Sequence, residues 1–107
     1  MREALFFQYK KAIFFNAIII SQVLNYVDFR VFLTAVYDST QYGGFVFINN
    51  VVDYGITPLF SENRPMNNAE LQEFVTQMGF QIIEKTEIAP FFAQEKQPRL
   101  ILILQKK

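Results

Sequence analysis

Polar side chains follow two apolar runs of the sequence, and their chemistry suits the binding of a small polar ligand. Hydroxyl and amide groups that donate and accept hydrogen bonds stand in both places: Ser21, Gln22, Asn25 and Tyr26, then Asn49, Asn50, Asp53 and Tyr54. Further along, the guanidinium of Arg64 can clamp a carboxylate or a phosphate through two parallel hydrogen bonds. Each of these residues also has a purely structural explanation. Ser and Asn side chains commonly hydrogen-bond to the backbone of turns, and Arg64 can pair with Glu62 or stay solvated.

Several kinds of catalysis are excluded by composition. The chain contains no His and no Cys, which removes Ser-His-Asp and Cys-His catalysis, disulfides and nearly all zinc sites. The acids Glu84 and Glu87 alternate with Lys85 and Thr86, which is typical of the wet face of a strand rather than of a glycosidase pair. The sequence therefore predicts no metal site, and it names no catalytic residue.

Length and charge limit the class of protein further. The chain has 107 residues, of which 51% are hydrophobic and 19% charged, and we predict one folded domain over residues 1–107. Ten basic residues balance ten acidic ones, and no run of five like charges occurs. Nucleic acid and anionic membrane surfaces are therefore not expected partners.

Membrane and secretory signals are weak. The run Ala12–Leu24 is interrupted by Asn16, Ser21 and Gln22, so its unbroken part is far shorter than the ~20 residues that a membrane span requires. No small-residue cleavage site follows it. We expect no membrane span, and the absence of cysteine makes the cytoplasm the default expectation.

The first polar group follows a predicted strand, Phe14–Ser21, whose continuous apolar run is typical of a strand buried on both faces at the centre of a parallel sheet. A helix follows, with Asp28 as its N-cap and one apolar stripe: Phe29, Phe32, Leu33, Val36 and Tyr37. Gly43 and Gly44 are predicted to end this helix.

The second polar group follows a second short strand, Phe45–Ile48. A strand-helix-strand unit normally places two parallel strands in one sheet, with ligands outside their carboxyl ends. Both polar groups should therefore lie at the same edge.

The remaining segments complete an α/β pattern. We predict a short helix or arm over Met1–Lys11 and a long loop over Val51–Met66. Asn67 and Glu70 predict the start of a second helix, and Gly79 its end. Two strands follow, Phe80–Ile88 and Arg99–Leu104. The order is (α)βαβ, loop, αββ.

This order resembles the carboxyl-terminal half of the class I S-adenosylmethionine-dependent methyltransferases. Four segments carry the resemblance: FFNAIIISQVLNYVDFRVFL, YGGFVFINN, NNAELQEFVTQMGFQIIEKTEI and PRLILILQKK. They are similar to the family's fourth strand and the helix after it, its fifth strand, its late helix and sixth strand, and its seventh strand. The resemblance implies a partial Rossmann-like sheet of parallel strands with an antiparallel carboxyl-terminal strand.

The resemblance also implies roles for the polar groups. Cofactor binding would fall to Ser21, Gln22, Asn25 and Tyr26, and binding of a small-molecule methyl acceptor to Asn49, Asn50, Asp53, Tyr54 and Arg64. However, the family holds S-adenosylmethionine with a glycine-rich loop after its first strand, and the first glycine here is Gly43. We therefore expect a truncated or split form, inactive alone, with no cofactor bound to the isolated chain. Whether it takes part in an enzyme stays open.

The strand Phe14–Ser21 lies inside the family's sheet, so without the other half it has an unpaired edge. The resemblance thus implies either a homodimer or a complementary amino-terminal half as the partner. Two alternatives remain: a non-enzymatic dimerisation or protein-interaction module, and an unrelated ligand-binding α+β domain.

Overall fold

The computed structural model describes residues 14–51, 60–89 and 98–107. The predicted arm Met1–Lys11 lies outside these ranges, as does half of the predicted loop Val51–Met66, residues 52–59. The described elements follow the predicted order: β1 Phe15–Ser21, a 3₁₀ turn Leu24–Tyr26, α1 Phe29–Ser39, β2 Thr40–Asn50, α2 Asn68–Met78, β3 Phe80–Ile88 and β4 Arg99–Lys106.

The four strands form one mixed sheet in the order β1-β2-β4-β3. β1 and β2 are parallel, as predicted, and β4 is antiparallel to both β2 and β3. The last of the four described strands is therefore inserted between β2 and β3, which run in the same direction. This architecture confirms the predicted partial Rossmann-like α/β fold.

Both helices pack on one face of the sheet. In a strand, alternate residues point to opposite faces, and the residues on the helix-covered face are apolar. In β4, Leu100, Leu102 and Leu104 are fully buried, whereas Ile101 and Ile103 between them are only half-buried. The core on the helix-covered face also includes Ile20, Leu24, Phe29, Leu33, Val36, Val46, Ile48, Leu71, Val75 and Phe80. Neither of the two helices in the described ranges has the length and apolar character of a membrane span.

The other face of the sheet is apolar, and no described element covers it. Ile19 of β1 is 79% exposed and is paired with Phe47 of β2, which is 37% exposed and is paired in turn with Ile103 of β4. Phe45 lies on the same face, because strand residues two apart point to the same side. We call Ile19, Phe45, Phe47, Ile101 and Ile103 the open face.

The prediction that the first strand is central and buried on both faces is wrong for the described part of the chain. β1 is an edge strand, and within it Ile20 alone is fully buried. A continuous apolar run shows that both faces can be covered, but the cover must come from elements that the described residues do not supply.

The first helix ends earlier than predicted. Thr40 closes α1 with extended backbone, and its hydroxyl donates to the carbonyl of Val36 at 2.7 Å. Gly43 and Gly44 lie inside β2, which extends from Thr40 to Asn50 instead of covering Phe45–Ile48 alone. A Cβ on Gly44 would lie 3.0 Å from the carbonyl oxygen of Asn16, so glycine permits the close approach of β1 and β2.

The ends of α2 confirm the sequence prediction. The side chain of Asn67 accepts from the backbone N–H of Glu70 at 2.7 Å, which caps the helix. Glu70 reaches back to the backbone N–H of Met66 at 2.7 Å, one residue before the expected capping-box partner. Gly79 follows the helix with a positive φ of 120°.

Candidate functional site

The carboxyl ends of β1 and β2 meet at one edge of the sheet, as predicted. Ser21 ends β1 opposite Asn49 of β2. The backbone N–H of Gln22 then donates to the carbonyl of Asn49 at 2.8 Å. Gln22 has a φ of 59°, an uncommon left-handed conformation for a residue with a side chain, and such strain often lies at functional sites.

Arg99 lies at the same edge and was not among the predicted site residues. Because β4 runs antiparallel to β2, its first residue lies beside the carboxyl end of β2. The Nη1 atom of Arg99 donates to Oδ1 of Asn49 at 3.3 Å. A Pro-Arg pair at the start of a strand has no special signature, so only the strand register identifies Arg99.

Asn25 ties the turn after β1 to the end of β2. It is 4% exposed, and its Nδ2 donates to the carbonyl of Val51 at 2.6 Å. Its Oδ1 has no hydrogen-bond partner in the part of the chain that the structure describes. The amide nitrogen thus satisfies loop backbone, while the oxygen remains available to a bound water or ligand.

Asn50 is the last residue of β2 and is fully buried. It pairs with Leu100, so its side chain lies on the helix-covered face. Neither its Oδ1 nor its Nδ2 has a hydrogen-bond partner within the described ranges. Since a buried amide without partners is costly, this position favours a water molecule or a polar ligand group beside it.

Three side chains, from the turn after β1 and from the segment 60–66, contact one another: Tyr26, Phe60 and Arg64. The rings of Tyr26 and Phe60 are edge to face with centroids 5.2 Å apart, and the guanidinium of Arg64 lies 5.5 Å from the Phe60 centroid. Arg64 donates to the carbonyl of Ser61 at 2.9 Å. It makes no ion pair with Glu62 in the structure, so its charge is partnered by an aromatic face and a carbonyl.

The predicted residues thus fall into two groups that differ from the predicted cofactor and acceptor sets. Ser21, Gln22 and Asn49 come together with Arg99, whereas Asn25, Asn50, Tyr26 and Arg64 lie toward the side of the helices and the segment 60–66. Asp53 and Tyr54 lie outside the described residues. Within the described ranges, no three acidic side chains are close enough to bind a metal ion.

The fold matches solved S-adenosylmethionine-dependent methyltransferases. The N-methyltransferase NodS of Bradyrhizobium japonicum WM9 is 15% identical, with a TM-score of 0.66 over 94% of this chain and 56% of NodS. The complex of NodS with S-adenosyl-L-homocysteine is 14% identical in sequence, with a TM-score of 0.63 over 94% of this chain and 50% of NodS. A Listeria monocytogenes protein provisionally described as such a methyltransferase is also 14% identical. Its TM-score is 0.63 over 88% of this chain and 62% of the Listeria protein.

These matches show the fold and its extent. The chain spans between 50% and 62% of these neighbours, so its sheet corresponds to part of a methyltransferase sheet. No protein-family model matches the sequence, and no curated protein matches it either.

Proposed function

We propose that this chain forms the acceptor-side part of a small-molecule methyltransferase that uses S-adenosylmethionine. The part that holds the cofactor would come from another segment, in the same polypeptide or in a second one. The observation that carries the proposal is the agreement of 94% of the chain with the fold of an N-methyltransferase at a TM-score of 0.66.

The described residues do not fit S-adenosylmethionine by themselves. Phosphate- and nucleoside-type ligands are approached closely by glycine backbone at the carboxyl ends of parallel strands. Here Gly43 and Gly44 lie near the beginning of β2, and Gly79 directly precedes β3, so all three are remote from that edge. The candidate edge therefore lacks a glycine cradle for a cofactor among the described residues.

The contribution of this chain would be orientation of the acceptor. Ser21 pairs with Asn49 at the carboxyl edge, and the backbone N–H of Gln22 donates to the carbonyl of Asn49 beside them, so the hydroxyl of Ser21 and the amide of Asn49 can fix a small molecule by hydrogen bonds. Holding two reactants in line can supply about 7–11 kcal/mol of a reaction barrier, and it requires no acid or base from this chain.

Calorimetry tests this proposal. The isolated chain should give no binding heat with S-adenosylmethionine at high micromolar concentration. The heat should appear after the chain is mixed with a polypeptide from the adjoining reading frame that carries a glycine-rich strand-loop-helix segment. The control is the same polypeptide with the loop glycines changed to valine, which should restore nothing. One-to-one binding to the isolated chain, or no binding by the mixture, would contradict the proposal.

A second candidate, a non-enzymatic dimerisation module, is favoured by the exposed edge of β1 and by the open face. The residues of β1 include no Lys, Glu or Pro that would discourage strand pairing. We infer that, in the absence of a complementary half, two copies of the chain associate through this edge around a two-fold axis.

A further inference from the structure

We propose that Arg99 and Asn49 form a subsite for an oxyanion, a carboxylate or phosphate group carried by the methyl acceptor. That the ligand is a methyl acceptor rests on the proposed function. Anion binding itself rests on the geometry and the charge of the edge, independently of that function.

The first support is position. Arg99 is the first residue of β4, and it lies where the parallel strands β1 and β2 end. Asn49 accepts from one guanidinium nitrogen at 3.3 Å and pairs with Ser21 on its other side. A guanidinium, an amide and a hydroxyl are therefore arranged across three neighbouring strands at the edge where α/β proteins bind ligands.

The second support is the charge of Arg99, which no carboxylate of the described residues neutralises. Arg99 is only half-exposed, yet it makes no ion pair with any described carboxylate, since Arg30–Glu70 and Lys85–Glu87 are the ion pairs in that part of the chain. Its neighbour across the strands is Ile88, which cannot neutralise it. A guanidinium has five N–H donors, and its planar fork matches the two oxygens of a carboxylate or phosphate.

Two other described cations, Lys106 and Arg64, differ from Arg99 because each lies over an aromatic ring. Lys106 is almost fully buried, but it donates to the carbonyl of Tyr37 at 2.8 Å and lies over the rings of Tyr37 and Tyr42. Arg64 lies on the Phe60 ring. Among the described residues, no aromatic ring lies beneath the guanidinium of Arg99, and its side-chain partner is the neutral amide oxygen of Asn49.

The test is a titration of the isotopically labelled full chain with inorganic phosphate or with sodium acetate, at constant ionic strength kept with chloride. The Nε–H signal of Arg99 and the side-chain amide of Asn49 are followed by NMR. Both signals should shift and saturate, and the tighter of the two anions identifies the group on the acceptor. Arg99→Gln should weaken the affinity by about tenfold or more, because a charge-assisted hydrogen bond is lost.

A second variant and a control separate this effect from folding. Asn49→Asp should weaken the affinity by about tenfold or more as well, because the new carboxylate pairs with the guanidinium of Arg99. Lys85→Gln removes the same charge on exposed β3 and should change the affinity less than twofold. Absence of saturable shifts in the unmodified chain, or equal affinity in Arg99→Gln, would overturn the subsite. The titration contains no S-adenosylmethionine, so a failure of cofactor binding in the mixture leaves its result unchanged.

Discussion

At the scale of single residues, Glu70 is the most connected carboxylate of the described chain. Its Oε1 accepts from the backbone N–H of Met66 at 2.7 Å, and its Oε2 accepts from Arg30 at 2.8 Å. The Met66 hydrogen bond, helped by the hydrogen bond and charge of Arg30, lowers the pKa of Glu70 against the opposing effect of burial. One side chain thus fixes the start of α2 and links it to α1.

The lowered pKa predicts a pH dependence of stability. The folded state favours the charged form, so the stabilisation from Glu70 is complete above its unfolded pKa and is lost as the pH falls through the lowered folded value. Glu70→Gln should therefore be less stable than the unmodified chain at pH 7, and the difference should shrink in acid.

Urea denaturation of both proteins across the acidic range measures this difference. Glu73→Gln, one turn along the exposed side of α2, is the matched control and should show a smaller change. A constant difference between Glu70→Gln and the unmodified chain at all pH values would contradict the role of the carboxylate.

Local rules identified some of these residues and not others. Asn67, Glu70 and Gly79 were predictable because caps depend on residues three or four positions apart. Arg99 was not, because its proximity to Asn49 comes from the pairing of strands separated by 50 positions in the sequence.

At the scale of elements, the junction of α2 with β3 depends on Gly79. Its φ of 120° is rarely adopted by residues with a side chain, and a Cβ would lie 2.7 Å from the Tyr37 hydroxyl. Gly79→Ala should destabilise the fold by about 1–2 kcal/mol from backbone strain, with a further cost from displacing Tyr37.

Gly43→Ala is the matched control in urea denaturation, because Gly43 also has a positive φ of 84° but nothing lies within 4 Å of its Cβ position. The contact with Tyr37 should make Gly79→Ala the more destabilised variant. Equal losses would show that the backbone conformation alone matters and that the Tyr37 contact is tolerant.

The periodicity of apolar residues predicted which elements form. It also predicted both ends of β3, but it was less accurate for the ends of α1 and β2. The end of α1 was placed at Gly43 and Gly44, while the hydrogen bond of Thr40 to Val36 ends it earlier. Asn49 and Asn50 were predicted to follow the second strand, yet they extend it because they pair with Ile101 and Leu100 of β4. Pairing partners distant in sequence decided these boundaries.

At the scale of the whole molecule, the exposed edge and the open face predict association. Ile19→Lys places a charge on the most exposed apolar side chain of β1, where the folded monomer has room for it. We expect the unmodified chain to be a dimer or higher oligomer at tens of micromolar, and Ile19→Lys to be a folded monomer that binds a hydrophobic dye.

Light scattering measures the mass of both proteins. Val31→Lys, which adds the same charge on the 62% exposed outer side of α1, should leave the assembly intact. A stable monomer of the unmodified chain at that concentration would count against association through β1.

The overall topology was predictable from the order of segments. Which faces and edges of the sheet are covered was not predictable. A buried-strand pattern in residues 15–21 indicates that the sequence suits a strand with two covered faces. Which element provides the cover depends on residues beyond the described ranges or on another chain, so the pattern could not show that β1 is an edge.

The position of β4 has a consequence for synthesis on the ribosome. β4 is made after the other three described strands, yet it lies between β2 and β3 and joins them, with Asn50 opposite Leu100 and Phe80 opposite Lys106. Among the described strands, a nascent chain that lacks β4 leaves β2 with one unpaired edge and β3 with no pairing strand. Pairing of these four strands therefore waits until β4 has left the exit tunnel, and until then the growing chain exposes extended apolar segments of the kind that favour aggregation and bind chaperones.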